Sequence, residues 1–210
     1  MPIRPLVVTV IAAAPCFTAI AAPNPRPTDD FGIEFVRIGR PGNRAALPEV
    51  ALSKARFGSL VPVNERSRVS KTELSASQWL GLAGAYNPYW VAAGGSRFDS
   101  GFHGGLLIPQ TLDPNQPANY TIAPGADHQA VKVHWRVAAR FANWLHNAQV
   151  NEEWAFETGA YDTSTFGGNA QDGYTDQAER TPGSRFWIPS VDEWTKAAHY
   201  DPDRYGEDME

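Results

Sequence analysis

His134-Trp135-Arg136-Val137-Ala138-Ala139-Arg140-Phe141-Ala142-Asn143-Trp144-Leu145-His146-Asn147 is the most regular stretch of the chain. Val137, Phe141, Trp144 and Leu145 recur at i, i+4, i+7 and i+8, with Ala138 and Ala142 beside them, so they line one face of a helix. Arg136, Arg140 and Asn143 fall elsewhere on the wheel. The entrance is weakly capped, because His134 stands where Ser, Thr, Asp or Asn would close the first turn. A second helix is predicted from Ser190. Ser190 and Glu193 have the spacing of a capping box, Pro189 precedes them, and Asp201-Pro202 stops the run. Val191, Trp194, Ala197 and Ala198 form its apolar stripe.

Outward from these two helices the pattern changes to short strands and long loops. Ile33-Glu34-Phe35-Val36-Arg37-Ile38 alternates as a half-buried strand, and Pro41-Gly42-Asn43 ends it as a turn. Leu60-Val61-Pro62-Val63 and the Ser67–Leu74 stretch read as further strands. Ser75 or Ser77 caps a short helix through Gln78-Trp79-Leu80. Residues 86–127 and 157–184 show no sustained period and read as long loops, functional or packed by their own aromatics. Two main helices with short strands and much ordered loop make an irregular, loop-rich α+β fold.

Composition narrows the classes. The chain has 210 residues, with 18 Gly and 17 Pro, yet its 7 Trp, 7 Tyr and 10 Phe are incompatible with a disordered chain. Its 18 Lys and Arg against 23 Asp and Glu give a net charge of −5, without a basic stripe, which excludes a nucleic-acid partner. The single cysteine, Cys16, excludes an internal disulfide framework, a cysteine zinc site and a two-cysteine redox centre.

The first residues read as an address. Arg4, the apolar run Leu6-Val7-Val8-Thr9-Val10-Ile11-Ala12-Ala13-Ala14 and the small-residue exit Ala19-Ile20-Ala21-Ala22 have the order of a secretory signal peptide. The run is too short for a membrane anchor, and Pro15 breaks it. The expected organisation is a signal peptide over 1–21, a polar Pro-rich leader over 22–30 and one domain over 31–210. The mature protein would be secreted or periplasmic, without a transmembrane span. Cys16 would leave with the signal, so the mature chain would contain no cysteine.

Two segments carry a resemblance. Val133, Trp135, Ala138, Phe141, Asn143, Trp144 and Leu145 form a V-x-W-x-x-A-x-x-F-x-N-W-L pattern, and Trp187 to Ala198 reads W-I-P-S-x-x-E-W-x-K-A-A. Together with Phe35-Val36-Arg37-Ile38-Gly39 and Ser70-Lys71-Thr72-Glu73-Leu74-Ser75, in this order, they resemble the formylglycine-generating enzyme family, or sulfatase-modifying-factor domain. The resemblance spans roughly residues 31–203. It implies a C-type-lectin-like fold, and a family that includes copper-dependent cysteine oxidases and iron-dependent C–S bond-forming enzymes. By the same resemblance the catalytic cysteines, the calcium ligands and a G-N-V-W-E-W signature lie beyond the E-W segment. The domain is therefore expected to be incomplete at its C-terminal end, with no catalytic residue assignable. His134 stands where the family usually has Ser, and Val137 where it usually has Asp. The resemblance admits calcium or a transition metal as cofactor, but no ligands can be assigned, and the cofactor stays unknown.

Other residues have a plain reading beside a functional one. Tyr86, Tyr89, Trp90, Phe98 and Phe102 are the binding candidates, because loops carry function, although packing of the loop explains them equally. Trp135, Trp144, Trp187 and Trp194 read as core aromatics rather than a sugar platform. Glu193 is accounted for by its capping box. The five histidines, His103, His128, His134, His146 and His199, lack the spacing of a helical metal pair and read as ordinary surface groups. Asp162, Asn169, Asp172 and Asp176 could meet a hard cation but lack EF-hand spacing, so a solvated turn is expected. Asn119-Tyr120-Thr121 is a glycosylation sequon. Two functions follow: an exported formylglycine-generating-enzyme-like domain without cysteine-oxidase activity, or a non-catalytic lectin-like module binding protein or glycan through its aromatic loops.

Overall fold

The amphipathic stretch forms a helix that contributes to both clusters of buried residues in the described structure. A computed structural model describes residues 6–7, 10–13, 31–38, 67–110 and 119–199. In chain order these residues form β1 (Leu6–Val7), β2 (Ile11–Ala13), β3 (Phe35–Ile38), β4 (Ser67–Ser70), α1 (Ala76–Ala92) and α2 (Ser100–His103). There follow β5 (Leu107–Pro109), β6 (Tyr120–Ile122), β7 (Lys132–Val133), α3 (Trp135–His146) and α4 (Glu153–Glu157). After a 3-10 turn at Thr163–Thr165 come β8 (Gly168–Asn169), β9 (Gly173–Tyr174), β10 (Phe186–Trp187) and α5 (Val191–His199). The fold is mixed α and β, with short antiparallel sheets. The largest sheet has the order β10-β2-β4-β3, and β1-β7, β5-β6 and β8-β9 form separate pairs. The expected strand at 60–63, the turn at 41–43 and the leader at 22–30 lie outside the described residues.

α3 buries the face its periodicity predicts: Val137, Ala138, Phe141, Ala142, Trp144 and Leu145 are all buried. Its first turn lacks a side-chain cap at His134, as expected. The main core joins this face to α1 through Trp79 and Phe141, whose ring centroids lie 5.1 Å apart. The sheet meets the same core through Phe35 and Phe186, at 5.9 Å. A smaller cluster of Val69, Ala139, Ala142, Ala160, Tyr161 and Trp187 packs along the neighbouring Ala139–Ala142 side of α3.

Three expectations need correction. The helix begun at Ser75 continues to Ala92, so Tyr86, Tyr89 and Trp90 are helical rather than part of a loop. Ser75 accepts from the Gln78 backbone N–H while the Gln78 side chain accepts from the Ser75 N–H, a closed capping box. Gly81, Gly84 and Pro88 hide this helix from a propensity reading. Packing overrides them: α1 lies against the Trp144 ring of α3, which a Cβ on Gly81 would meet at 3.4 Å, an ordinary van der Waals contact. The stretch to residue 127 also contains α2, β5 and β6, and the 157–184 stretch contains a 3-10 turn and the β8-β9 hairpin. Finally, α5 has the predicted capping box, with Glu193 N–H on Ser190 Oγ at 3.2 Å and Ser190 N–H on Glu193 Oε2 at 2.8 Å. Yet it buries Thr195 and Lys196 and leaves Val191 and Trp194 exposed, so Trp194 is not a core aromatic. Among the described residues no helix is long and apolar enough to cross a membrane.

Residues 6–7 and 10–13 of the segment read as an export signal lie within this architecture. β2 is an inner strand of the largest sheet, and β1 pairs with β7 directly before α3.

Candidate functional site

The polar side of α3 gathers two arginine–carboxylate pairs among the described residues. Arg140 and Glu157 form a two-pronged pair, Nε to Oε1 at 2.8 Å and a terminal guanidinium nitrogen to Oε2 at 2.8 Å. The Tyr86 hydroxyl donates to Oε1 at 2.9 Å, and the Thr163 hydroxyl donates to Oε2. One turn earlier, Arg136 donates to both oxygens of Asp176, at 3.0 and 3.1 Å, and to the Gly167 carbonyl at 2.6 Å. Both guanidinium groups also lie over the Phe166 ring, at 5.9 and 5.3 Å from its centroid. The two arginines thus hold the 157–184 segment against α3 while the opposite helix face enters the core.

The chemistry of this group follows from its saturation. Burial alone would push the Glu157 carboxyl up, but the hydrogen bonds from Arg140, Thr163 and Tyr86 and the Arg140 charge hold it below the ordinary glutamate range. Four donors occupy its two oxygens, which leaves a structural anchor and no poised base. Burial raises the Tyr86 hydroxyl far above the ordinary tyrosine value, with the Arg140 charge opposing and the Glu157 carboxylate reinforcing. It stays a neutral donor to Glu157.

The pH dependence has a definite sign. A carboxyl lowered in the folded state stabilises the fold above its unfolded value of about 4.3, and that contribution is lost as pH falls through the folded value. Glu157→Gln is therefore expected to cost about 2 kcal/mol at neutral pH, a modest figure because both partners are partly exposed. The loss relative to the parent should shrink as the pH drops below about 4.3. Urea unfolding of both proteins from pH 7 to pH 3 measures this; parallel curves would contradict it.

The aromatic binding candidates are brought together, but inside the protein. Tyr86 and Phe102 are buried, Tyr89 and Trp90 half-buried, and Trp90 stacks on Phe102 at 5.2 Å with an interplanar angle of 11°. Tyr86 also meets Phe156 of α4 at 4.9 Å. These four rings pack α1 against α2 and α4. Phe98 stands apart, 55% exposed. Sequence reading missed two other exposed aromatics: Trp154, on the short helix α4, and Tyr174, on the β8-β9 hairpin under the Arg136 guanidinium.

The acidic residues considered for a cation are each engaged separately. Asp162 caps the 3-10 turn through the Ser164 N–H at 2.9 Å, and its hydrogen bonds with Ser164 hold its carboxyl below the ordinary aspartate range. Asp176 serves Arg136, while Asn169 and Asp172 bond each other at 2.7 Å beside the hairpin turn. The histidines are also dispersed. His146 Nδ1 accepts the Arg185 N–H at 3.0 Å, and burial, then the Arg185 charge, lowers its pKa. His103 Nδ1 accepts from the Gly105 N–H at 3.2 Å, leaving Nε2 to face the Phe98 carbonyl at 3.3 Å as a donor. His134 lies 3.5 Å from Asp99. Among the described residues no three metal-ligating side chains converge.

The segments behind the family resemblance have structural work of their own. Asn143 bonds three backbone groups, those of Phe156 and Tyr161, from the buried side of α3. Trp187 Nε1 donates to both Glu193 oxygens at 3.1 Å, which ties β10 to the α5 capping box. Trp135 lies edge-on to Tyr161 at 5.3 Å. Comparison of the chain with protein-family models, with curated proteins and with solved structures gives no match.

Proposed function

We propose that this chain is an exported domain related to the formylglycine-generating enzymes, with a C-type-lectin-like fold and no cysteine-oxidase activity. The order and spacing of the α3 and α5 motifs support the kinship. The observation that carries the lack of activity in this chain is the single cysteine: Cys16 lies inside the expected signal peptide, so export would leave no thiolate to bind copper or give up an electron. The saturated state of Glu157 agrees, since among the described residues its two oxygens already accept four hydrogen bonds. The binding-module reading draws little support from the aromatic candidates, four of which are committed to packing.

Incubation of the purified chain with copper, reductant, oxygen and a sulfatase-motif peptide is expected to leave the peptide cysteine unchanged by mass spectrometry. Aldehyde formation above a copper-only control would overturn the proposal.

A further inference from the structure

The N-terminal segment has two incompatible assignments if the chain is exported: a removable signal, and an inner strand. β2 pairs antiparallel on both sides, Ile11, Ala12 and Ala13 with Val69, Arg68 and Ser67 of β4, and Ala12 and Ile11 with Phe186 and Trp187 of β10. Just before it, Val10 is fully buried in the main core. The Val10 N–H points to Ser70 Oγ at 3.4 Å, and the Ser70 N–H donates to the Val10 carbonyl at 3.0 Å. Taking residues 10–13 away would strip pairing from β10 and from one edge of β4, and would open the apolar seat of Val10. Unpaired edges flanking an apolar hole form a template for another extended strand.

We propose that the slot between β4 and β10 is a strand-binding site, filled here by residues 10–13, which in the processed chain takes an extended, uncharged peptide segment with an aliphatic residue at the Val10 position. The present occupant defines that chemistry. The backbone ladder supplies affinity without sequence demands, and the Val10 seat supplies the side-chain preference. A carboxylate there would be buried without a partner and rejected.

The test uses the full chain, folded before cleavage, with a protease site inserted between Ala22 and Pro23. After cleavage the N-terminal fragment is expected to remain with the body through gel filtration. A labelled peptide of residues 5–14 should exchange into the slot, and the same peptide carrying Val10→Asp should compete at least about tenfold less well. Any of four results would overturn the proposal. The fragment dissociates and the body keeps its melting temperature and binds no peptide. The body unfolds once the fragment leaves and does not refold when peptide is added. The two peptides compete equally. Or the emptied body dimerises and excludes the peptide, which would assign the slot to a second copy of the chain.

Discussion

Trp79→Ala is expected to lower the stability of the folded chain by about 4 kcal/mol, the cost of removing a large buried aromatic side chain from a packed core. Trp79 is fully buried in α1, stacks at a tilt against Phe141 of α3, and sends its indole N–H to the Phe102 carbonyl of α2 at 2.9 Å. It is therefore the side chain through which three helices meet. Its removal opens a cavity at that junction and leaves a buried carbonyl without a donor. For a chain of this size the loss corresponds to a fall in Tm of roughly 8–16 °C. Trp79→Phe separates the two contributions: it keeps most of the packing but not the hydrogen bond, and should cost roughly 1–3 kcal/mol. If the alanine variant melted within about 2 °C of the parent, the packing role assigned to Trp79 would be wrong.

That junction was only half legible in the sequence. α3 announced itself because its apolar residues keep a strict helical period and its polar residues stay off that face. α1 did not, because Gly81, Gly84 and Pro88 lower helix propensity and apolar residues surround the helix. Its formation rests on the Ser75 capping box and on packing against α3, and only the cap is local in sequence. The same distinction explains the charged cluster. Arg136 and Arg140 were visible as the polar side of a helix, but Asp176 lies 40 residues from its arginine and Glu157 lies 17. No local pattern connects such partners. Burial of Tyr86 and Phe102 follows from the same long-range packing, which turned loop-binding candidates into core.

Two further readings show where composition alone is ambiguous. A signal peptide and a β-strand draw on the same kind of sequence, short apolar runs ending in small side chains, so Leu6–Val7 and Ile11–Ala13 suit both readings. The α5 stripe is apolar by period, yet Val191 and Trp194 face outward while Thr195 and Lys196 face in. Periodicity fixes which residues share a face; it does not fix which face finds a partner.

Asn143 is the residue where a polar side chain inside that legible helix has the largest consequence. It is fully buried. Its Nδ2 donates to the Phe156 and Tyr161 carbonyls, both at 2.8 Å, and its Oδ1 accepts the Tyr161 N–H at 2.8 Å. The amide thus satisfies three buried backbone groups where α4 ends and the 157–184 segment begins. Asn143→Leu keeps the branching and heavy-atom count, though with bulkier methyl groups, but strands all three groups, and at about 1–3 kcal/mol each, with partial relaxation, the expected cost is about 4 kcal/mol. Asn143→Asp gives a sharper result. Its carboxylate can still accept the Tyr161 N–H, but it faces two carbonyl oxygens with no hydrogen to give. The aspartate variant should therefore be at least as unstable as the leucine variant at neutral pH. It should regain stability relative to the leucine variant as acid protonates the carboxyl, opposite in direction to the acid response of the Glu157 anchor. Proteolysis within residues 158–184 should accelerate in both variants at neutral pH, because the tie at Tyr161 is lost while the Arg136 and Arg140 anchors remain. Wild-type stability in Asn143→Leu, or an aspartate variant that weakens further in acid relative to it, would show that the amide does not hold this junction.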